Sequence, residues 1–412
     1  MDLSIISKKF TLETLKEIAS NAGIGTENVV AEFADSNMKK GDSYLSEIYR
    51  LIVTSKTGKV KVLVKTMPKT VARRQTFRSD EFFKNEIDFY TKIIPALMDF
   101  QKSTGSKDIF DEYPQCLAAY SDGENDFLVL EDISVSGYIA PCRQSYTETE
   151  TCSLILKVLG RFHAVSLAFK DQKPEEFQKV ISILDEHYYA KNLKNWYGGF
   201  LKLASHVALD AVQKTYPNSE YSAKAEKFLG ENLFEDMISM VNNKTAYAVI
   251  GHGDCWRPNF LTKYDSTGNK PEKVKIIDFQ LVRYGSSIFD LIFLLYNSTS
   301  QEQRIKHYEQ LLKDYHTSAC NLIQNLGSDA KKIFPYEGFK EELKKFGRFG
   351  CGFCIESLPL SMLDDDDVTD LDTVNFENST LLDFWKIKPL ENVENRKRLA
   401  DIFKHAVDNG YL

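Results

Sequence analysis

The sequence predicts an α+β fold in two unequal lobes: a small antiparallel sheet with one large helix, then a larger, mainly helical lobe. Three observations carry this. Up to about residue 132, apolar residues alternate in short runs separated by polar turns. Beyond it, helical periodicity dominates. The chain has 412 residues, too many for one hydrophobic core and comfortable for two lobes. We place these at 1–132 and 133–412.

In chain order, TLETLKEIASNAG reads as a short amphipathic helix with Thr11 as N-cap and Gly23 as stop. VVAEFADS, YLSEIYRLIVTS and VKVLVKTMP read as strands joined by the turns KKGDS and KTGK. From Asp80 the spacing of Phe82, Phe83, Ile87, Tyr90 and Ile94 predicts a helix. CLAAYSD and DFLVLEDI return to strand, and the first lobe ends between Glu131 and Ser136. TETETCSLILKVLGRFHAVSLAF is one long amphipathic run, and residues 175–245 are helix-rich. AYAVIGH and VKIIDF are two short strand-like pieces. SSIFDLIFLLYNS and the remainder are helical. The acidic run Asp364 to Asp367 reads as a solvated loop, as does the basic turn at Arg73 and Arg74.

Composition is that of an ordinary globular protein, 43% hydrophobic and 27% charged,. A net charge of −7 weighs against a nucleic-acid partner, whose phosphates call for a basic surface. The N-terminus lacks the uncharged apolar core of a secretory signal. No stretch approaches the ~20 apolar residues of a membrane span, so the expectation is a cytoplasmic protein with no membrane and no evident protein partner. Seven scattered cysteines fit free thiols in a reducing compartment. Cys351 and Cys354 form a CGFC pair without the second pair of a zinc site, and are expected to be helical core thiols.

Chemistry concentrates between residues 252 and 278, in HGDCWRPNF and VKIIDFQ. Asp254 follows a strand and opens a loop, where a carboxylate can orient an acceptor hydroxyl and take its proton. Asn259 on the same loop can offer an amide oxygen to Mg²⁺. Asp278, at the end of an apolar strand, supplies a charged oxygen to the same hard cation. Either Asp alone reads as a turn or cap residue; together, with Asn259 at this spacing, they match phosphoryl-transfer chemistry. His252 is expected to brace the loop. Upstream, Lys65 ends a strand and can reach nucleotide phosphates, with Glu86 on the next helix to fix it. Gly41, Ser43 and Ser46 in GDSYLS can form a phosphate-facing hairpin. Glu131 and Ile133 in LVLEDI lie where the lobes meet, where backbone groups can hold adenine.

These residues closely resemble the choline kinase and aminoglycoside phosphotransferase superfamily, and the fuller pattern is similar to the insect ecdysteroid kinase-like family. The elements are KKGDSYLSEIYRLIV, VLVKTMP, FFKNEIDFY, LVLEDI, LGRFHAVSLA, HGDCWRPNF, IIDFQLVRYGSSIFDL and LLYNST. The resemblance implies a bilobal protein-kinase-like fold that uses ATP and Mg²⁺ to phosphorylate a hydroxyl of a small molecule, an ecdysteroid or a xenobiotic alcohol. It implies Lys65 and Glu86 as the ATP-positioning pair, Asp254 as base, and Asn259 and Asp278 as metal ligands. Gln280 replaces the glycine of a DFG motif, and the chain runs almost straight from Tyr284 into FDLIFLL. Little remains there for a peptide-docking platform, so protein substrates are disfavoured. Asp290, opening that helix, is expected to cap or brace the catalytic loop. A choline- or aminoglycoside-type phosphotransferase and a non-catalytic nucleotide-binding pseudokinase remain as alternatives.

Overall fold

The computed structural model describes residues 2–34, 46–364 and 379–412. Gly41, Ser43 and Asp365 to Asp367 lie outside the described residues. Helix α1 (Leu12–Asn21) starts at Thr11, whose N–H donates to the Thr14 hydroxyl at 3.2 Å, and it stops before Gly23. Strands β1 (Val30–Phe33), β2 (Glu47–Thr54), β3 (Lys59–Thr66), β4 (Cys116–Tyr120) and β5 (Phe127–Glu131) form one antiparallel sheet in the order β1-β2-β3-β5-β4.

The period of two along these strands decides which face each residue serves. Val62, Val64, Phe127 and Val129 pack with Leu15 and Ile18 of α1 in one core. Leu128 and Leu130 join the other, larger core with Phe83 and Ile87. Lys65, next to Val64, therefore falls on the face opposite α1.

That face meets α2 (Val71–Phe77), α3 (Ser79–Asp88) and α4 (Ile94–Ser103). Arg73 is buried in α2, not in a solvated basic turn: the segment is helical and closes against the core through Phe77. The helix expected from Asp80 is not continuous either. Phe89–Ile93 forms a π-helical turn, in which the Ile94 N–H reaches back five residues to the Phe89 carbonyl. Pro95, at the start of α4, has no N–H to give, so the ladder must shift register there.

The helical lobe contains α5 (Thr149–Gln172), α6 (Pro174–Ile181), α7 (Lys194–Thr215), α8 (Glu220–Phe228), α9 (Leu233–Asn242), α10 (Ser287–Ser298), α11 (Gln301–Asn325), α12 (Ala330–Ile333), α13 (Tyr336–Phe346), α14 (Arg348–Ser361), α15 (Leu381–Phe384) and α16 (Val393–Asp408). The architecture is the bilobal, kinase-like one. α5 corrects one expectation. It has the length and hydropathy of a membrane span, yet 78% of that stretch is buried inside the fold, mostly against α11. Cys351 and Cys354 are buried thiols on α14, and all seven cysteines are unpaired.

The chemistry-rich segment carries four strands rather than two. β6 (Ala248–Gly251) pairs with β9 (Arg283–Ser286), and β7 (Phe260–Tyr264) pairs with β8 (Pro271–Ile276), both antiparallel. The sequence reading missed β7 and β9 because each is short and partly polar. The two ladders pin both ends of the loops between them.

Candidate active site

The loop between β6 and β7 holds His252, Asp254 and Asn259. Gly253 lets it turn: its φ is +80°, and a Cβ there would sit 1.9 Å from the Leu281 carbonyl oxygen. No other residue tolerates both. Asp290, at the start of α10, accepts hydrogen bonds from the His252 N–H at 2.5 Å and the Gly253 N–H at 3.0 Å. His163 of α5 donates to the same carboxylate at 3.0 Å and meets the Tyr315 hydroxyl at 2.7 Å. Burial opposes the charge on Asp290, but His163, His252 and the loop amide outweigh it and hold the carboxyl below its usual range. His252 spans the two loops. Its Nε2 donates to the Ile277 carbonyl at 2.9 Å, and its Nδ1 accepts the Asp254 N–H at 3.2 Å. With both ring nitrogens committed to backbone, it has none left for proton transfer.

The Asn259 amide donates to the Asp254 carbonyl at 3.0 Å and to its carboxylate at 3.1 Å. Its NH₂ is thus spent on Asp254, and its carbonyl oxygen is the atom left to offer. Burial pushes the Asp254 carboxyl up to about 7, with the nearby Asp278 charge adding and Asn259 and Arg283 opposing.

Asp278 sits after β8 with φ +66° and ψ +63°, a region sparsely allowed for a side-chain-bearing residue. The turn it makes sends Phe279 back to stack on Phe89 with ring centroids 4.0 Å apart. Lys65 Nζ lies 2.7 Å from Asp278 Oδ1 and 2.6 Å from Glu86 Oε2. Burial opposes the charge on Lys65, but the two carboxylates outweigh it and keep the ammonium protonated. Burial also pushes the Glu86 carboxyl up to about 7 against the pull of Lys65. Residues far apart in sequence thus meet at one ammonium.

The remaining upstream residues are placed differently. Ser46 is buried just before β2. Glu131 ends β5, and its side chain turns to Lys275 at 3.3 Å, on the wall of a cavity of about 370 Å³ that Lys65 and Asp278 do not line. Ile133 is buried and opens a 3₁₀ turn. Neither of these two side chains joins the Lys65 cluster, so only their backbone can serve the role expected there.

Several residues that build the site gave no sequence signal of their own. The Asn85 amide donates to the Gln280 carbonyl at 2.9 Å and the Val282 carbonyl at 3.0 Å, tying α3 to the loop after Asp278. Arg283 reaches both oxygens of Glu186 at 3.2 Å and the Gly253 carbonyl at 3.3 Å. Arg283 and His163 stand inside the quoted motifs, and a buried Arg or His in an apolar run was the available hint. Asn85 and Glu186 offered none.

Three hard oxygen donors, from Asn259 and both carboxylate oxygens of Asp278, suit Mg²⁺ rather than a softer ion. Asp254 beside them, and Lys65 across from them, give a carboxylate for an acceptor and an ammonium for phosphate. In a scan of family models, the one described as the ecdysteroid kinase-like family matches residues 40–328. Among curated proteins, none matches the chain.

Proposed function

Since the chain belongs to the ecdysteroid kinase-like family, whose members are kinase-like phosphotransferases, we propose that it is an ATP- and Mg²⁺-dependent O-kinase of a small-molecule alcohol, an ecdysteroid or a xenobiotic. The observation that carries this reading is the joint placement of Lys65, Glu86 and Asp278 at one ammonium, with Asp254 and Asn259 hydrogen-bonded on the neighbouring loop.

In this reading Lys65, fixed by Glu86, holds the nucleotide phosphates. Asn259 and Asp278 would hold Mg²⁺, which, when bound, neutralises charge on the phosphoryl oxygens. Asp254 accepts the hydrogen bond of the acceptor hydroxyl and orients its oxygen toward the γ-phosphorus. The new O–P bond forms as the bond to ADP breaks, and the hydroxyl proton passes late to Asp254. A carboxyl raised to about 7 is near the optimum for a base at neutral pH, since it is still ionisable and basic enough to keep the proton. The ladder of β6 with β9 runs directly into α10, which leaves no long segment before α10 for peptide docking and favours a small acceptor.

The test is to incubate purified protein with ATP, Mg²⁺ and a panel of ecdysteroids, choline, aminoglycosides and plant phenolics. Phosphate added to a neutral alcohol, read by mass spectrometry, supports the reading. Transfer to choline or an aminoglycoside alone would move the acceptor class. Nucleotide binding without transfer to any member would instead favour a pseudokinase.

A further inference from the structure

The transfer described above leaves one buried acid without a task. Glu356, on α14, is 6% exposed. Its Oε2 accepts the hydroxyl of Tyr197 from α7, and among the described residues nothing hydrogen-bonds its Oε1. A buried carboxyl with one oxygen unserved is costly unless a ligand or solvent completes it. Glu342 of α13 provides the contrast. It is equally buried, but it accepts from Thr245 at 2.6 Å and Ser286 at 2.9 Å, ties two segments together, and needs nothing more.

Glu356 is also well placed. Phe353, three residues earlier on the same face of α14, lies 6.0 Å from Tyr188, ring centre to ring centre, and under the Arg283 guanidinium at 5.9 Å. Tyr188 meets Tyr197 edge-on at 4.9 Å. Arg283 in turn holds the Gly253 carbonyl at 3.3 Å, one residue before Asp254. The negative charge of Asp254 is felt at both Tyr188 and Glu356. An aromatic wall with a carboxyl at its end therefore faces the proposed base.

We propose that Glu356 is an acceptor-positioning residue, whose free oxygen hydrogen-bonds a second hydroxyl of an uncharged alcohol while the first meets Asp254 and the rings of Tyr188 and Phe353 flank the apolar body between. This rests on the O-kinase reading and names its substrate class, an uncharged alcohol with at least two hydroxyls. Burial pushes the Glu356 carboxyl up to about 8, with Tyr197 and Arg283 opposing and Asp254 adding. Near neutral pH it carries a proton. With Tyr197 donating to Oε2, that proton belongs on Oε1, where it can be donated to a ligand oxygen. Such an acid attracts no cation.

The groups facing Glu356 are Tyr197 from α7, Tyr188 from the preceding loop, Arg283 from β9 and Asp254 from the catalytic loop. Tyr189, beside Tyr188, and Tyr197 both feel its charge. From α10, α11 and α16, the groups Tyr296, Arg304 and Arg398 act on Cys351 and Cys354 of α14. α9 brings Met237 against Gly352.

The test uses the full chain and three probes: an ecdysteroid with hydroxyls on nucleus and side chain, a sterol analogue with a single hydroxyl, and choline. Glu356→Ala is expected to raise KM for the polyhydroxylated probe roughly tenfold, the loss of about one hydrogen bond to a protonated acid. The KM for ATP should be unmoved. Glu356→Gln, which can still donate, should recover most of that loss at pH 7. In the wild type the acceptor KM should rise above about pH 8, where Glu356 loses its proton,, and this rise should be absent in Glu356→Gln. The Gln variant keeps the test decisive if the Ala variant does not fold. Wild-type turnover with an acceptor KM unchanged in both variants, equal use of the single-hydroxyl sterol, or preference for choline would overturn the proposal alone. No transfer by the wild type to any probe would overturn the kinase reading and this proposal with it.

Discussion

Replacing Asp254 with Asn should make the protein more stable and inactive at once, and the gain should depend on pH. Burial pushes the Asp254 carboxyl from 3.8 to about 7. An acid whose folded value is raised penalises folding wherever it is ionised. The penalty is absent below about pH 4, grows as pH rises, and is complete above about pH 7. Three units at 1.36 kcal/mol each set a ceiling of about 4 kcal/mol. Relaxation and water penetration reduce such figures, and the side chain keeps some exposure, so a gain of about 1–2 kcal/mol is the working value. The unfolding entropy of a chain this long is about 0.9 kcal/mol/K. The expected rise in Tm is therefore roughly 1–2 °C at pH 8, vanishing near pH 4. Differential scanning calorimetry of both proteins from pH 4 to 9 measures it. The same variant should lose about 10²–10⁴ in kcat, the range of a removed general base. Equal Tm curves at every pH would refute the picture of a strained buried base, and unchanged turnover would remove Asp254 from the chemistry.

Other perturbations probe the supports. Lys65→Met leaves Glu86 and Asp278 without their shared cation. Breaking such a buried pair costs about 3–5 kcal/mol, and calorimetry together with loss of the ATP-induced thermal shift should report it. Gly253→Ala drives a methyl into the Leu281 carbonyl at a positive φ. It should cost about 3 kcal/mol or more, visible as a lowered urea midpoint. Asp290→Asn removes an acceptor whose value is depressed. The stability it supplies is present above the unfolded value near 4 and is lost as pH falls through the lower folded value. Acid unfolding of the variant should therefore begin from lower stability and depend less steeply on pH than in the wild type.

The lobes were legible because the period of the apolar residues changes from two to 3.6 near residue 132. The meeting of Lys65 with Glu86 was foreseeable from order alone, strand then helix, and Asp254 and Asn259 from their spacing. What the sequence hid were features decided by contact between distant elements. The Asn85 bonds depend on where a loop two hundred residues away comes to rest. The π-helical turn depends on how a single proline is absorbed without ending the helix. Glu131 read as part of a nucleotide hinge, but its side chain is claimed by Lys275, and only packing could reveal that.

The Asn85 clamp has a consequence for control. In kinases that are switched, the helix bearing the pairing glutamate can swing away and take the ion pair apart. Here that helix is stitched by two side-chain bonds to the loop carrying Asp278, and moving it would strand two carbonyls at about 1–3 kcal/mol apiece. The active arrangement is the resting one. Such a protein answers to how much of it is made and how much alcohol reaches it, not to a signal that turns it on.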